Sequence, residues 1–147
     1  MEWLRPVLRS GVPVFGICFG HQLIAHEFGG KVEFLNPEKT HLRGFRSIRF
    51  REGELWNGEV AAGELVVSHR EVVTEPPSSM RVIGASPLPN DALRHESLPI
   101  WTMQPHPETT FKYFKDLGGE GTPDAEAFTF GNSIVESFIR FANASTN

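Results

Sequence analysis

A short apolar segment that runs straight into a glycine-flanked turn indicates the fold class of this chain. Residues Val12 to Ile17 are nearly all apolar, which is typical of a strand covered on both faces in a parallel sheet. His21 to Phe28 follows with helical composition, and Gly29-Gly30 is a helix stop signal. A buried strand joined to a helix by a tight turn predicts an α/β fold.

Length, charge and cysteine content exclude several classes of protein. The chain has 147 residues, 39% of them hydrophobic and 22% charged, which fits one globular domain with its own core. Its net charge is −4 with both signs interspersed, so no basic stripe predicts nucleic-acid binding. No apolar run approaches the roughly 18 residues of a membrane span. Cys18 is the single cysteine, so no disulfide forms within the chain, and a lone thiol without an export signal indicates the cytoplasm.

The rest of the chain alternates short strand candidates with turn signals. The predicted strands are separated by Gly, Pro and Asn and cover Lys31 to Phe34, Phe45 to Arg51, Glu64 to Val67, Val82 to Ala85 and Ile100 to Gln104. Residues 2–9 predict a helix that ends at Ser10-Gly11, and Gly118 to Pro123 predict a loop. In the last segment Ile134, Phe138 and Phe141 recur at helical spacing, which predicts a C-terminal helix.

The segment that carries chemistry is Gly16-Ile17-Cys18-Phe19-Gly20, between the predicted strand and the predicted helix. This G-x-C-x-G pattern is typical of a nucleophile elbow with cysteine in place of serine. A tight turn, which needs glycine on both sides for close packing, holds the side chain above the sheet at a helix N-terminus, where the dipole favours the thiolate. The backbone N–H of Phe19 is then placed to donate to a developing oxyanion. A free cysteine is otherwise most often an inert buried side chain, so Cys18 needs an accompanying base.

A candidate base lies 88 positions downstream, directly after the predicted strand Ile100 to Gln104. It is His106, followed by Glu108, and an extended His-x-Glu segment puts both side chains on one face. Functional groups gather at the carboxyl ends of strands in open α/β sheets, so Cys18, His106 and Glu108 are expected to meet there. Two alternatives stay open. His69 is a second candidate base, although it lacks an acid held two positions away by a stiffened turn, and a metal site at His106 and Glu108 lacks a third ligand.

Three motifs, in this order, resemble those of the class I glutamine amidotransferases, especially the GMP synthase-like group. They are Gly16-Ile17-Cys18-Phe19-Gly20-His21-Gln22, Ser68-His69-Arg70-Glu71 followed by Pro76-Pro77, and Gln104-Pro105-His106-Pro107-Glu108. The resemblance covers most of the chain. It implies a flavodoxin-like three-layer sandwich with a mostly parallel central sheet.

The resemblance also implies an activity and a role for each residue. Glutamine would be hydrolysed through a γ-glutamyl thioester on Cys18, with His106 shuttling the proton and Glu108 orienting His106. Gln22 and the turn Ser68-His69-Arg70 would hold the α-amino and α-carboxylate groups of glutamine. No cofactor or metal is implied, and the ammonia would pass to a synthetase partner or a fused domain.

Two departures from the family pattern bear on specificity and completeness. Arg70 and Glu71 stand where the family turn usually has Gly and Asp, which leaves room for a γ-glutamyl peptidase on the same scaffold. Family domains also have several βα units before the nucleophile strand, including a Gly-rich turn that supplies the second oxyanion N–H. We therefore expect residues 1–147 to be the C-terminal part of a single amidotransferase domain, lacking the N-terminal βα units. Such a chain would be a poor glutaminase alone, or an inactive truncated fragment, because losing one oxyanion donor lowers rates about 10²–10³-fold.

Overall fold

The protein forms alternating helices and strands along most of its length. The computed structural model describes residues 3–51, 54, 62–116 and 125–145. In that part of the chain the helices are α1 (Leu4–Arg9), α2 (Phe19–Glu27), α3 (Phe111–Asp116) and α4 (Ala125–Ser145). The strands are β1 (Val14–Ile17), β2 (Lys31–Phe34), β3 (Leu42–Phe50), β4 (Ala62–His69), β5 (Glu71–Glu75), β6 (Met80–Ala85), β7 (Ala92–His95) and β8 (Ile100–Met103). None of these helices is both long and apolar enough to span a membrane.

Among the described residues, six strands form a central sheet in the order β1-β8-β7-β6-β3-β4, and β2 pairs with β5 separately. Strands β1 and β8 are parallel, with Val14 opposite Ile100, whereas the other neighbours are antiparallel. The predicted α/β class is confirmed, but the described sheet is mixed and not mostly parallel. Residues 86–91 join β6 to β7 and residues 96–99 join β7 to β8. Such short links suit antiparallel pairing, because a parallel crossover needs about a dozen residues or more.

Helices cover both faces of the central sheet, which gives the three layers that the family resemblance implies. On one face, α4 packs on a core that includes Ile48, Phe50, Leu65, Ile83, Ala92, Trp101, Met103 and Ile134. On the other face, α1 and α2 pack on a core that includes Leu4, Leu8, Ile24, Ala25, Val73, Met80, Leu93 and Ile100. All four residues of β8 are buried, because successive side chains alternate between these two cores. The carboxyl end of β8 is therefore held firmly between two packed layers.

Most predicted elements are present, some with shifted ends. The strand predicted at Lys31 to Phe34 is confirmed with the same bounds as β2, and the strand predicted at Phe45 to Arg51 is part of the longer β3. Strands β5 and β7 and helix α3 carry no clear sequence signal, because each mixes charged and apolar residues over a short length. The predicted loop at Gly118 to Pro123 lies outside the described residues.

The two glycines beside Cys18 differ in how they affect the packing of α2 on β1. A Cβ on Gly16 would lie 2.6 Å from Ile24 Cδ1 and 2.9 Å from the Gly20 carbonyl oxygen. Gly16 therefore allows the first turns of α2 to approach β1 closely. A Cβ on Gly20 would meet no atom within 4 Å. The prediction that close packing needs glycine on both sides is correct for Gly16 and wrong for Gly20, because position 20 faces open space.

Replacing each glycine by alanine should separate these two cases. We expect Gly16→Ala to lower the free energy of unfolding by about 1–3 kcal/mol, because the added methyl group overpacks the contact with Ile24 and the Gly20 backbone. Gly20→Ala should leave stability unchanged or raise it by up to about 1 kcal/mol, since alanine favours a helix over glycine. Urea unfolding of the two variants measures both changes. Equal stability of the variants would contradict the close-packing role of Gly16.

Candidate active site

Cys18 lies at the tight turn between β1 and α2 and is the N-cap residue of α2. Its backbone has φ 49° and ψ −100°, a conformation that residues other than glycine rarely adopt. Its N–H donates to the Met103 carbonyl oxygen at 2.8 Å, and its carbonyl oxygen accepts from the Gln22 N–H at 3.1 Å. These bonds hold a strained turn that presents the half-buried thiol at the end of the β1–β8 pair.

His106 and Glu108 follow β8 and meet in a tight turn. The His106 N–H donates to the Val66 carbonyl oxygen at 2.8 Å, which attaches the turn to β4. His106 Nδ1 lies 2.7 Å from Glu108 Oε1, so the two side chains meet as expected. The Thr109 N–H donates to the His106 carbonyl oxygen at 3.4 Å, so the segment is a turn and not the extended segment that the His-x-Glu spacing predicts. Pro107 fixes φ at about −65°, which suits a turn as well as an extended chain.

Helix α4 packs directly against this turn. A Cβ on Gly131 would lie 2.5 Å from the Pro107 carbonyl oxygen, so glycine at this position lets the helix backbone approach the turn closely. Gly131 is accordingly buried. The helix on one side and the hydrogen bond to Val66 on the other fix where the imidazole of His106 lies.

Cys18 and Glu108 both interact with the His106 ring. Hydrogen bonds to Cys18 and Glu108 raise the pKa of His106 from its usual 6.5 to about 10, and partial burial of the ring opposes this rise. Because Nδ1 faces Glu108, the other ring nitrogen, Nε2, is left for Cys18. The imidazole is therefore protonated at neutral pH. The structure thus brings together three residues that come from two separate segments of the sequence.

Gln104 connects Cys18 to Gln22, a role that its sequence context does not predict. Its Nε2 donates to Cys18 Sγ at 3.5 Å, and its Oε1 accepts from Gln22 Nε2 at 3.1 Å. Gln22 Nε2 also donates to the Glu71 carbonyl oxygen at 2.9 Å, so both amide hydrogens of Gln22 are used within the protein. The signal that could have identified Gln104 is an amide side chain placed directly after an apolar strand, where it is fully buried.

The residues of the predicted recognition turn, Ser68, His69 and Arg70, face different surroundings. The Ser68 carbonyl oxygen lies 3.7 Å from Cys18 Sγ, and its hydroxyl lies 2.9 Å from His41 Nε2. The side chain of Arg70 is exposed, and that of His69 is buried. Ser68 therefore brings backbone next to the thiol, whereas the ring of His69 is withdrawn from solvent.

The buried ring of His69 is occupied by other partners. Its Nδ1 donates to the Glu71 carbonyl oxygen at 3.0 Å, and its Nε2 accepts from Arg46 Nη1 at 3.3 Å. Burial of the ring and the charge of Arg46 lower the pKa of His69 to about 4. His69 is therefore neutral at pH 7 with both nitrogens engaged. This arrangement favours His106 over His69 as the base for Cys18.

Phe19 is the first residue of α2. Its backbone N–H is one of the four at the helix N-terminus that have no partner within the helix. Its side chain is 68% exposed. The N–H directly follows Cys18, at the position that the elbow pattern predicts for an oxyanion donor.

The titration of His106 tests this geometry directly. Because hydrogen bonds to Cys18 and Glu108 raise its pKa to about 10, the ring should stay protonated from neutral pH to about pH 9. Cys18→Ser and Glu108→Gln should each lower the midpoint toward 6.5, since each variant removes a group that stabilises the imidazolium. Side-chain ¹⁵N NMR measures the protonation of the His106 ring as a function of pH.

His69 provides an internal control for that titration. With a pKa lowered to about 4, it should remain neutral between about pH 6 and pH 9 in every variant. A midpoint near 6.5 for His106 in the unsubstituted protein would contradict the contacts with Cys18 and Glu108.

This chain is similar in sequence to known proteins over most of its length. Residues 1–116 match the family described as glutamine amidotransferase class-I. The chain is 38% identical over 112 residues to one subunit of the glutamine-hydrolyzing GMP synthase of Methanopyrus kandleri, covering 75% of this chain and 59% of that protein. It is 34% identical over 134 residues to the glutamine-hydrolyzing GMP synthase of Thermosipho melanesiensis, covering 90% of this chain and 22% of that protein.

A solved structure of a glutamine amidotransferase from Thermotoga maritima shares the fold. It superimposes with a TM-score of 0.75 at 14% sequence identity, covering 96% of this chain and 66% of that chain. The chain spans 51% to 62% of the length of the first curated relatives that it matches. The family match nevertheless includes all three motifs that carry the resemblance. The chain therefore belongs to the class-I glutamine amidotransferase family.

Proposed function

We propose that this site hydrolyses the side-chain amide of glutamine, with Cys18 as nucleophile, His106 as proton shuttle and Glu108 orienting His106. The observation that carries the proposal is the contact of His106 with both Cys18 and Glu108 beyond the ends of β1 and β8. A thiolate and an imidazolium oriented by a carboxylate form the arrangement that cysteine hydrolases use for acyl transfer. Membership of the amidotransferase family supports glutamine as the acyl donor.

In the first half of the reaction, the Cys18 thiolate attacks the side-chain carbonyl carbon of glutamine. The C=O electrons move to oxygen, and the N–H of Phe19 at the helix N-terminus donates to this oxyanion. His106 then gives its proton to the leaving nitrogen, the C–N bond breaks, and ammonia departs from a γ-glutamyl thioester. The raised pKa of His106, about 10, keeps this proton available at neutral pH.

In the second half, water releases glutamate from the thioester. His106, now neutral, accepts a proton from the attacking water, and the C–S bond then breaks. The electrons of that bond return to sulfur, so the thiolate and the imidazolium are restored together. Glu108, 2.7 Å from Nδ1, keeps Nε2 directed at the reacting atoms in both halves.

Gln22 and the turn Ser68-His69-Arg70 form the binding site that we propose for the α-amino and α-carboxylate groups. Both amide hydrogens of Gln22 are donated to Glu71 and Gln104, so its Oε1 is the atom suited to accept from an ammonium group. The turn would contribute largely through backbone atoms. In support, Ser68 places its backbone beside the thiol, and the ring of His69 is occupied elsewhere.

The ammonia would pass to an acceptor held by a synthetase partner or a fused domain. The names of two relatives support this: one is a separate subunit of a GMP synthase, and the other is a GMP synthase of which this chain matches 22%. Residues 1–147 would then belong to a single amidotransferase domain of such an assembly. A thiol nucleophile must stay reduced, so the cytoplasm is the proposed location.

A γ-glutamyl peptidase on the same scaffold is the second candidate. The observation that favours it is the exposed side chain of Arg70, two residues after Ser68, whose carbonyl oxygen lies beside the thiol. A γ-glutamyl peptide carries a further carboxylate that glutamine lacks, and a guanidinium is well suited to bind it. Arg70 would then select the peptide over glutamine.

Substitution of the three proposed catalytic residues should lower glutamine hydrolysis in a graded way. We expect Cys18→Ala to prevent labelling by a diazoketone analogue of glutamine and to lower kcat by about 10⁴-fold or more, because no thioester forms. His106→Gln should lower kcat by about 10²–10⁴-fold, the usual contribution of proton transfer. Glu108→Gln should lower kcat by less, since the imidazole remains.

Ammonia release by the full chain is the measurement for this series. Glu96→Gln is the matched control, because Glu96 is an exposed carboxylate that pairs with Arg81, and this variant should keep full activity. Unchanged hydrolysis by Cys18→Ala would refute the proposed mechanism.

Turnover of glutamine and of a γ-glutamyl dipeptide distinguishes the two candidate activities. We expect glutamine to have the higher kcat/KM and Arg70→Gly to change it little, because the turn acts through its backbone. A peptidase would instead prefer the dipeptide, and Arg70→Gly would lower that preference about tenfold, as for one hydrogen bond to a charged group. Failure to turn over either substrate, together with no labelling of Cys18 by the diazoketone analogue, would reject both activities.

A further inference from the structure

A buried ion pair lies outside the residues that meet the thiol. Arg46 on β3 and Asp91, which precedes β7, pair through Nη2 and Oδ1 at 2.6 Å, and their side chains are only 9% and 2% exposed. The charged Arg46 shares the inward face of β3 with Ile48 and Phe50. Apolar replacement of a buried ion pair is often neutral or stabilising, so stability alone is a weak reason for these charges.

Hydrogen bonds connect Arg46 to Gln22 through His69. Arg46 Nη1 donates to His69 Nε2 at 3.3 Å, so the ring proton of His69 resides on Nδ1. That Nδ1–H donates to the Glu71 carbonyl oxygen at 3.0 Å, and the same oxygen accepts from Gln22 Nε2 at 2.9 Å. The oxygen that positions the Gln22 amide is therefore itself held by Arg46, with His69 between them.

A second path connects Asp91 to Gln22 through Gln104. The Asp91 carbonyl oxygen accepts from the Gln104 N–H at 2.8 Å. The side-chain Oε1 of Gln104 accepts from Gln22 Nε2 at 3.1 Å. Because Asp91 is bonded to Arg46, the two paths close into a ring of hydrogen bonds, with the ion pair on one side and the Gln22 amide on the other.

We propose that the Arg46–Asp91 pair is a positioning element for the substrate-binding amide of Gln22. The inference rests on the proposed function, in which Gln22 binds the amino-acid end of a γ-glutamyl substrate. Arg46 sets the tautomer of His69, and the ring of hydrogen bonds then turns both Gln22 amide hydrogens inward and leaves Oε1 for the substrate. The pair does not touch the reacting atoms, and His106 is not part of the ring. Gln104, which also donates to Cys18 Sγ, is bonded to the backbone carbonyl of Asp91, and a change of the Asp91 side chain keeps that bond. The ion pair therefore acts on substrate affinity and not on the reactivity of the thiol.

The test compares two reagents that both react with Cys18 in the full chain. A diazoketone analogue of glutamine must first bind through its amino-acid end, whereas iodoacetamide needs only the thiolate. In Arg46→Met/Asp91→Leu, which replaces both charges by apolar side chains, we expect the half-saturating analogue concentration to rise about tenfold. The maximal labelling rate, and the iodoacetamide rate between about pH 6 and pH 9, should each change by less than about twofold.

A conservative variant and a matched control complete the experiment. Arg46→Lys keeps the charge opposite Asp91 and should retain part of the analogue affinity, and it provides the test if the double variant does not fold by circular dichroism. Arg49→Met should label like the unsubstituted protein, because Arg49 is an exposed arginine on the same strand.

Three outcomes would overturn the positioning role, and they are distinguishable. Unchanged analogue affinity in a folded Arg46 variant would reject it and leave the glutaminase proposal intact. Equal losses with both reagents would also reject it, because they would indicate a general disturbance of the site. Absence of analogue labelling in the unsubstituted protein, with normal iodoacetamide alkylation, would reject the proposed function and this inference with it.

Discussion

The parallel hydrogen bonding of β1 and β8 is the constraint on which the rest of the site depends. The register runs from Val14 opposite Ile100 to Ile17 opposite Met103, and the Cys18 N–H extends it by bonding to the Met103 carbonyl oxygen. Parallel strands end at the same edge of a sheet, so side chains far apart in sequence meet there. A register shift of one residue would turn the side chains of a strand to the opposite face. The two cores that bury β8 therefore also maintain the distance between thiol and imidazole.

Two histidines near the thiol, His106 and His69, differ in charge because their surroundings differ. Cys18 and Glu108 hold a proton on His106 and raise its pKa to about 10. Burial and the charge of Arg46 remove the proton from His69 and lower its pKa to about 4. Both rings are partly or fully withdrawn from water, so burial alone does not explain the contrast. The site thus contains one cationic ring beside the thiol and one neutral ring bonded to Arg46 and to the Glu71 carbonyl oxygen.

The candidate catalytic residues could be predicted from sequence because each belongs to a short contiguous motif at the end of an apolar strand. Cys18 lies within G-x-C-x-G, and His106 and Glu108 follow directly after β8. The pairing of the strands was harder to predict. The sequence of β7, ALRH, shows no alternation of apolar and polar residues, and short turns join β7 to both of its partner strands, β6 and β8. The importance of Gln104 and Arg46 also escapes sequence patterns, because it comes from partners that only the folded chain brings near.

Gly131 closely approaches the Pro107 carbonyl oxygen, so the rotation of α4 about its own axis affects the position of His106, the proposed base. The helix meets the turn at a position without a side chain, so turning α4 about its own axis would drive a neighbouring Cβ into the turn and move the imidazole. The opposite side of the helix has no such restriction, since Arg140, nine residues after Gly131 and therefore half a turn away from it, is exposed. Tags, tethers or a docking protein can therefore be accommodated on the outer face of α4. A contact that twists the helix would instead change how far His106 lies from Cys18.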